Sequence, residues 1–159
     1  MNIYNNFLNK DEFKNLQSKM MGDYFPWYFN DGINHDGDGY FQFCFSFFAN
    51  EKKQCIDEYF NILNPLLNKI NTQKFNKIKA NLVIKDNKIT KHGMHIDQPK
   101  GTTGIFYMNN CNGYTEFETG EKIKSIPNMY VEFPTRLKHR GVSQTDKDGR
   151  IIINLNYYK

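Results

Sequence analysis

The chain has 159 residues, 39% hydrophobic and 16% aromatic, which suits a single domain whose core uses rings as much as aliphatic side chains. No run reaches the length of about 18 apolar residues that a membrane span needs, and no basic-then-apolar leader opens the sequence, so neither a membrane partner nor a signal peptide is expected. Cys44, Cys55 and Cys111 are widely spaced and form no C-x-x-C pair, which makes a reducing, cytoplasmic setting the default. The net charge of +4 is scattered among acids and does not by itself point to nucleic acid.

In chain order, Asn9 or Asp11 caps a helix in which Phe13, Leu16 and Met20 recur at helical spacing. A loop rich in Asp, Asn and Gly runs from Asn30 to Gly39, and Phe41, Phe43, Phe45 and Phe47 then alternate with polar residues as a strand does. From Glu51 to Ile70 the apolar positions (Cys55, Ile56, Tyr59, Phe60, Leu63, Leu66, Leu67, Ile70) trace an amphipathic helix, kinked or restarted at Pro65. Short strands follow over Ile78–Ile84, Ile89–Asp97, Thr103–Asn109, Thr115–Glu118, Lys122–Ile126, Met129–Phe133, His139–Ser143 and Arg150–Tyr157. Turns are expected at Asp86-Asn87, Asn112-Gly113, Pro127-Asn128 and Asp148-Gly149. Helices followed by many short strands predict an α+β domain spanning residues 1–159. Helices and an aromatic strand occupy 1–76, a β core occupies 77–159 as a sandwich or barrel, and the helices cover one face.

The chain has four histidines. His95 and Asp97 are two apart on a predicted strand and leave the same face, and His139 opens a later strand that can return beside them. Two imidazoles and a carboxylate on one face of a metal form the facial triad of non-haem Fe(II) oxygenases, which leaves positions open for a co-substrate and O2. Arg150, across the Asp148-Gly149 turn, can hold a carboxylate bidentately at the far end of such a pocket. Rival cations are Arg136, in a turn near the pocket mouth, and Lys138 and Arg140, which flank His139 and point to the opposite face.

These residues, with Ile105-Phe106-Tyr107-Met108-Asn109 and Gly113-Tyr114-Thr115-Glu116-Phe117 between them, resemble the 2-oxoglutarate (2OG)/Fe(II)-dependent dioxygenases of the prolyl 4-hydroxylase-like branch, over about Asn81 to Tyr157. The resemblance implies a double-stranded β-helix (jelly roll) with helices packed outside. It implies Fe(II) on His95, Asp97 and His139, and 2OG held at its distal carboxylate by Arg150 and Tyr107. O2 would be the oxidant and ascorbate a candidate reductant. The implied reaction couples oxidative decarboxylation of 2OG to hydroxylation of a protein, peptide or small-molecule substrate, a prolyl residue first among them. The chain departs from the family at His92, where relatives often carry tyrosine, and at Gly113-Tyr114, where they carry Gly-Gly; both departures bear on substrate entry. Asn156 stands where nucleic-acid demethylases of the superfamily usually have a second arginine, so nucleic acid is not the expected partner.

The alternatives are a nucleic-acid or small-molecule oxygenase of the same superfamily, a zinc hydrolase using the same triad, and a non-catalytic binding module on a jelly-roll barrel. The hydrolase would have no use for Arg150 and Tyr107, and the binding module would not need a triad. Tyr107 taken alone reads as core, His35 as a plain loop residue, Trp27 as a core plug before a substrate platform, and the cysteines as buried thiols.

Overall fold

The computed structural model describes residues 1–159 as two antiparallel sheets facing each other. The larger sheet runs, in spatial order, β1 (Asn2–Tyr4), β9 (Met129–Pro134), β6 (Thr102–Tyr107), β11 (Gly149–Tyr158), β5 (Lys74–Ile84), β3 (Gln42–Ala49) and β2 (Tyr28–Asn30), with β4 (Lys52–Lys53) hairpinned onto β3. The smaller sheet is β10 (His139–Val142), β7 (Cys111–Phe117) and β8 (Lys122–Ser125). This is a jelly roll.

Period-two patterning decides what each face of the large sheet does. On β11, Ile151, Ile153, Leu155 and Tyr157 join the main hydrophobic core, while Arg150, Ile152, Asn154 and Asn156 line a cavity on the opposite face. On β5, Ile78 and Ala80 face the core, and Lys77, Lys79, Asn81 and Val83 line the cavity. The core is closed from outside by α1 (Lys10–Met20), α2 (Asp57–Asn61) and α3 (Asn64–Lys69); Leu16 and Met20 of α1 and Leu66 of α3 share one buried cluster with Phe45, Phe47 and Phe106. Each such buried side chain contributes about 1.5–3 kcal/mol. Rings dominate: Phe45 and Phe47 meet edge to face at 4.8 Å, and Phe25 sits 4.9 Å from Phe45 and from half-buried Trp27. Asn9 is the cap of α1. Its side chain accepts the Glu12 N–H at 2.9 Å, and the Glu12 carboxylate accepts the Asn9 N–H at 3.2 Å. A second apolar cluster (Ile105, Tyr107, Phe117, Ile123, Met129, Val131, Phe133) fills the space between the sheets on the β6–β9 side, leaving the β11–β5 side for the cavity.

Several expectations are corrected. The helix expected from Glu51 to Ile70 begins at Asp57, because Asn50 and Glu51 adopt positive φ (51° and 68°) and form the turn into β4. It breaks into two short helices, with Pro65 in the first turn of the second, where its missing N–H costs nothing. The Ile89–Asp97 segment is extended but not a strand. It meets β10 only at the bridges Lys91↔Val142 and His95↔His139, and the Thr90 N–H bonds the Ser143 hydroxyl instead of a carbonyl. Asp86-Asn87 does not close a hairpin, since β5 pairs with β11 and β3. Asn112-Gly113 is not a turn but lies inside β7, at an irregularity in its pairing with β8. A Cβ at Gly113 would sit 3.0 Å from Arg150 Cδ and 2.9 Å from the Val142 carbonyl, so the glycine there makes room for the arginine. Three-residue β1 and β2 are too short to show a period. All three cysteines are free, and only Cys111 is fully buried. No helix is long and apolar enough to cross a membrane.

Candidate active site

The cavity between the sheets has a volume of about 340 Å³ and holds the polar residues of the inner face. At one end lie His95, Asp97 and His139, with one ligand atom from each within 4.8 Å of the others. The paired bridge His95↔His139 places the two imidazoles side by side, ring centroids 4.7 Å apart. His95 Nε2 is 3.8 Å from Asp97 Oδ1, and His139 Nε2 is 3.8 Å from Asp97 Oδ2. Both Nδ1 atoms face backbone carbonyls at 3.2 Å, Gly93 O for His95 and Leu137 O for His139. A carbonyl only accepts, so each Nδ1 carries the hydrogen, and Nε2 is left as the ring atom that can ligate a metal. Burial holds the His139 pKa below its ordinary value, with Asp97 pulling it up and His95 down; the neutral, ligand-competent form is favoured.

The Asp97 carboxylate is fixed from the floor. Thr103 Oγ1 donates to it at 2.8 Å, and the Asn156 and Asn154 amides donate at 3.1 and 3.4 Å. Two imidazoles and a hydrogen-bonded carboxylate, with one ligand atom from each facing the same space, fit a divalent first-row metal.

Arg150 lies at the other end of the cavity. It is 2% exposed, and no carboxylate pairs with it. Its Nη2 donates to Thr115 Oγ1 at 3.1 Å, its guanidinium lies 5.7 Å from the centre of the Tyr107 ring, and Nε has no partner. Burial pushes its pKa down. A desolvated cation with idle donors at the end of a cavity calls for an anion. Tyr107 is fully buried, and its hydroxyl donates to Thr115 Oγ1 at 2.8 Å. Tyr107 is therefore one step behind the cavity wall, and Thr115 lines it. Thr115 accepts from both Tyr107 and Arg150, so its own hydrogen is left to donate into the cavity.

The rival cations fall away. Arg136 is exposed and outside the cavity lining, and Arg140 is bound to Glu116 at 2.6 Å. His92 is buried and lines the cavity, and neither ring nitrogen has a partner; His35 is exposed at the mouth beside Asn34 and Asp36. Sequence reasoning gave no role to Thr115, Thr103, Asn154 or Asn156. Amides at the inward positions of an otherwise apolar strand were the available signal for the last two, because asparagine is depleted in strands.

No protein-family model matches the sequence, and no curated protein matches it either. Solved structures do. A prolyl-4-hydroxylase from Pseudomonas putida superposes with a TM-score of 0.68 at 13% identity, over 99% of this chain and 92% of that one. A Trichoplax adhaerens prolyl hydroxylase, solved with a hypoxia inducible factor peptide fragment, gives 0.66 at 18% identity, over 99% and 82%. A viral collagen prolyl hydroxylase from Paramecium bursaria Chlorella virus-1, solved as a 2OG complex, gives 0.57 at 17% identity, over 99% and 96%. At such identities the likeness is one of fold: the chain has the jelly roll of the prolyl hydroxylases.

Proposed function

We propose that the chain is an Fe(II) dioxygenase that couples oxidative decarboxylation of 2OG to hydroxylation of a prolyl or proline-like residue in a peptide. The observation that carries this is one cavity with two ends. A two-histidine, one-carboxylate cluster forms one end, and a buried arginine without a counter-ion forms the other. A dicarboxylate that chelates a metal through one end and needs a cation at the other answers both. A zinc hydrolase leaves Arg150 a desolvated charge with nothing to bind.

His95, Asp97 and His139 would hold the metal, and iron with 2OG and O2 supplies the oxidising chemistry when bound. The chain's own residues do the rest. The Gly93 and Leu137 carbonyls fix the tautomers, and Thr103, Asn154 and Asn156 aim the Asp97 carboxylate. Arg150 and Thr115 orient the distal carboxylate, and Tyr107 orients Thr115. The peptide reading is supported by the fold's likeness to three prolyl hydroxylases. It is supported also by polar side chains in the cavity wall, Lys79 and Asn81 of β5 among them.

The test offers a proline-containing peptide library and, in parallel, oligonucleotides to the Fe(II)-loaded protein with 2OG. Mass spectrometry then reads the gain of one oxygen atom against succinate formed. Equal amounts on peptides are expected. Hydroxylation confined to nucleobases overturns the substrate, and no hydroxylation with no succinate overturns the activity.

A further inference from the structure

The reading of the cavity as an Fe(II)/2OG site leaves one of its most buried polar side chains without work. His92 is 4% exposed and lines the cavity, and both Nδ1 and Nε2 lack a hydrogen-bond partner. An imidazole buried with both nitrogens idle is costly, and buried polar groups are ordinarily satisfied. The ring is also held in place. Its backbone N–H donates to the Gly141 carbonyl at 3.2 Å, and the Tyr40 ring packs against it edge-on at 4.9 Å. Gly141 shows what the ring faces: a Cβ there would lie 3.8 Å from Arg150 Nη1 and 4.0 Å from His92 Cδ2. Imidazole and guanidinium thus border the same space, over a stretch of β10 that carries no side chain.

Resting on the Fe(II)/2OG reading, we propose that His92 is a binding residue for the distal carboxylate of 2OG, donating to it beside Arg150 and Thr115 and taking up a proton as the dicarboxylate enters. In the free protein burial lowers the His92 pKa; the Arg150 charge lowers it further, while Asp38 and Asp86 pull the other way, and Tyr40 is the remaining titratable group against the ring. The imidazole is therefore neutral near neutral pH, with one N–H and one bare nitrogen. An arriving carboxylate offsets the Arg150 charge and supplies an acceptor for the protonated ring, which raises the His92 pKa in the complex. Binding takes up a proton wherever the pH lies between the two values, and it weakens as pH rises through them.

The test titrates 2OG calorimetrically into Mn(II)-loaded wild type, His92→Phe and His92→Gln, near neutral pH, in two buffers of different ionisation enthalpy. Wild type is expected to bind with net proton uptake. His92→Phe keeps the ring against Tyr40 but loses its nitrogens; its Kd should rise about tenfold or more, with the uptake gone. His92→Gln restores a donor and should recover most of the affinity without uptake. The affinity for Mn(II) itself should be the same in all three, which a general collapse of the site would not give. Wild-type affinity in His92→Phe, or uptake persisting in His92→Gln, overturns the proposal. If His92→Phe fails to fold, the uptake measured in His92→Gln decides alone. Wild type that binds no 2OG overturns the reading of the site itself, and it does so before any variant is compared.

Discussion

Replacing Arg150 with methionine should change stability and ligand binding in opposite directions. In the free protein the guanidinium is 2% exposed and its only hydrogen bond is to Thr115, so its desolvation is uncompensated. Methionine keeps the length and apolar contacts of the side chain and removes the charge. Exchanging buried ions for apolar side chains of similar volume is neutral or stabilising by about 1–4 kcal/mol. For a domain of this size that raises Tm by about 2–4 °C per kcal/mol. Binding goes the other way. Depriving a buried carboxylate of its partner costs about 3–5 kcal/mol, a few hundredfold to a few thousandfold in the 2OG constant. Wild type at a hundred times its Kd gains about 2.7 kcal/mol from 2OG, and the variant gains nothing measurable. Thermal scans of Mn(II)-loaded protein with and without 2OG should therefore cross, with Arg150→Met the more stable without ligand and wild type the more stable with it. An Arg150→Met protein that 2OG still stabilises, or that loses several kcal/mol without ligand, would refute the assignment of Arg150 as the unpaired anion receptor.

Three further outcomes follow from the geometry. Asn156→Leu removes a 3.1 Å bond to Asp97 and should weaken Mn(II) binding roughly 10–100-fold while the fold's circular dichroism is kept. Tyr107→Phe removes a donor to Thr115 rather than to the cavity, so the 2OG constant should rise less than tenfold and stability should fall by about 1 kcal/mol in denaturant titration. Burial alone would raise the Glu132 pKa, but Lys159, Asn2 and Tyr157 hydrogen-bond its carboxylate and bring it from 4.5 to about 2. A depressed folded pKa contributes stability that is full above 4.5 and is lost as pH falls toward 2. Glu132→Gln should therefore cost up to about 3 kcal/mol near neutral pH, and the difference from wild type should vanish in strong acid.

The sequence made the larger pieces legible because their signals are local. Alternation in β5 and β3 marks the faces of the main sheet, and Asn9, one of the two cap candidates, starts α1. His95, Asp97, His139 and Arg150 stood out as residue types whose order fits one chemistry, and the fold brings the first three within 4.8 Å. What was not legible depends on contacts between distant segments. Thr115 keeps its hydroxyl hydrogen unspent only because Tyr107 and Arg150 both donate to its oxygen, and neither bond leaves a trace in spacing. The helical period over Glu51–Ile70 ran through a turn because left-handed Asn50 and Glu51 carry no glycine to announce them. Gly113 read as a turn because its need to clear Arg150, 37 residues later in the chain, is invisible until β7 and β11 face each other.

Turnover of 2OG in the cavity is the most direct measurement of what the His95, Asp97 and His139 cluster does. Purified protein loaded with Fe(II) under O2 should convert 2OG to succinate and CO2 in equal amounts, slowly alone and faster with a hydroxylatable peptide. Conversion should cease in Asp97→Ala and on replacing iron with Zn(II). Succinate formation undiminished in Asp97→Ala, or none from iron-loaded wild type that binds 2OG, would contradict the assignment of His95, Asp97 and His139 as the oxidising centre.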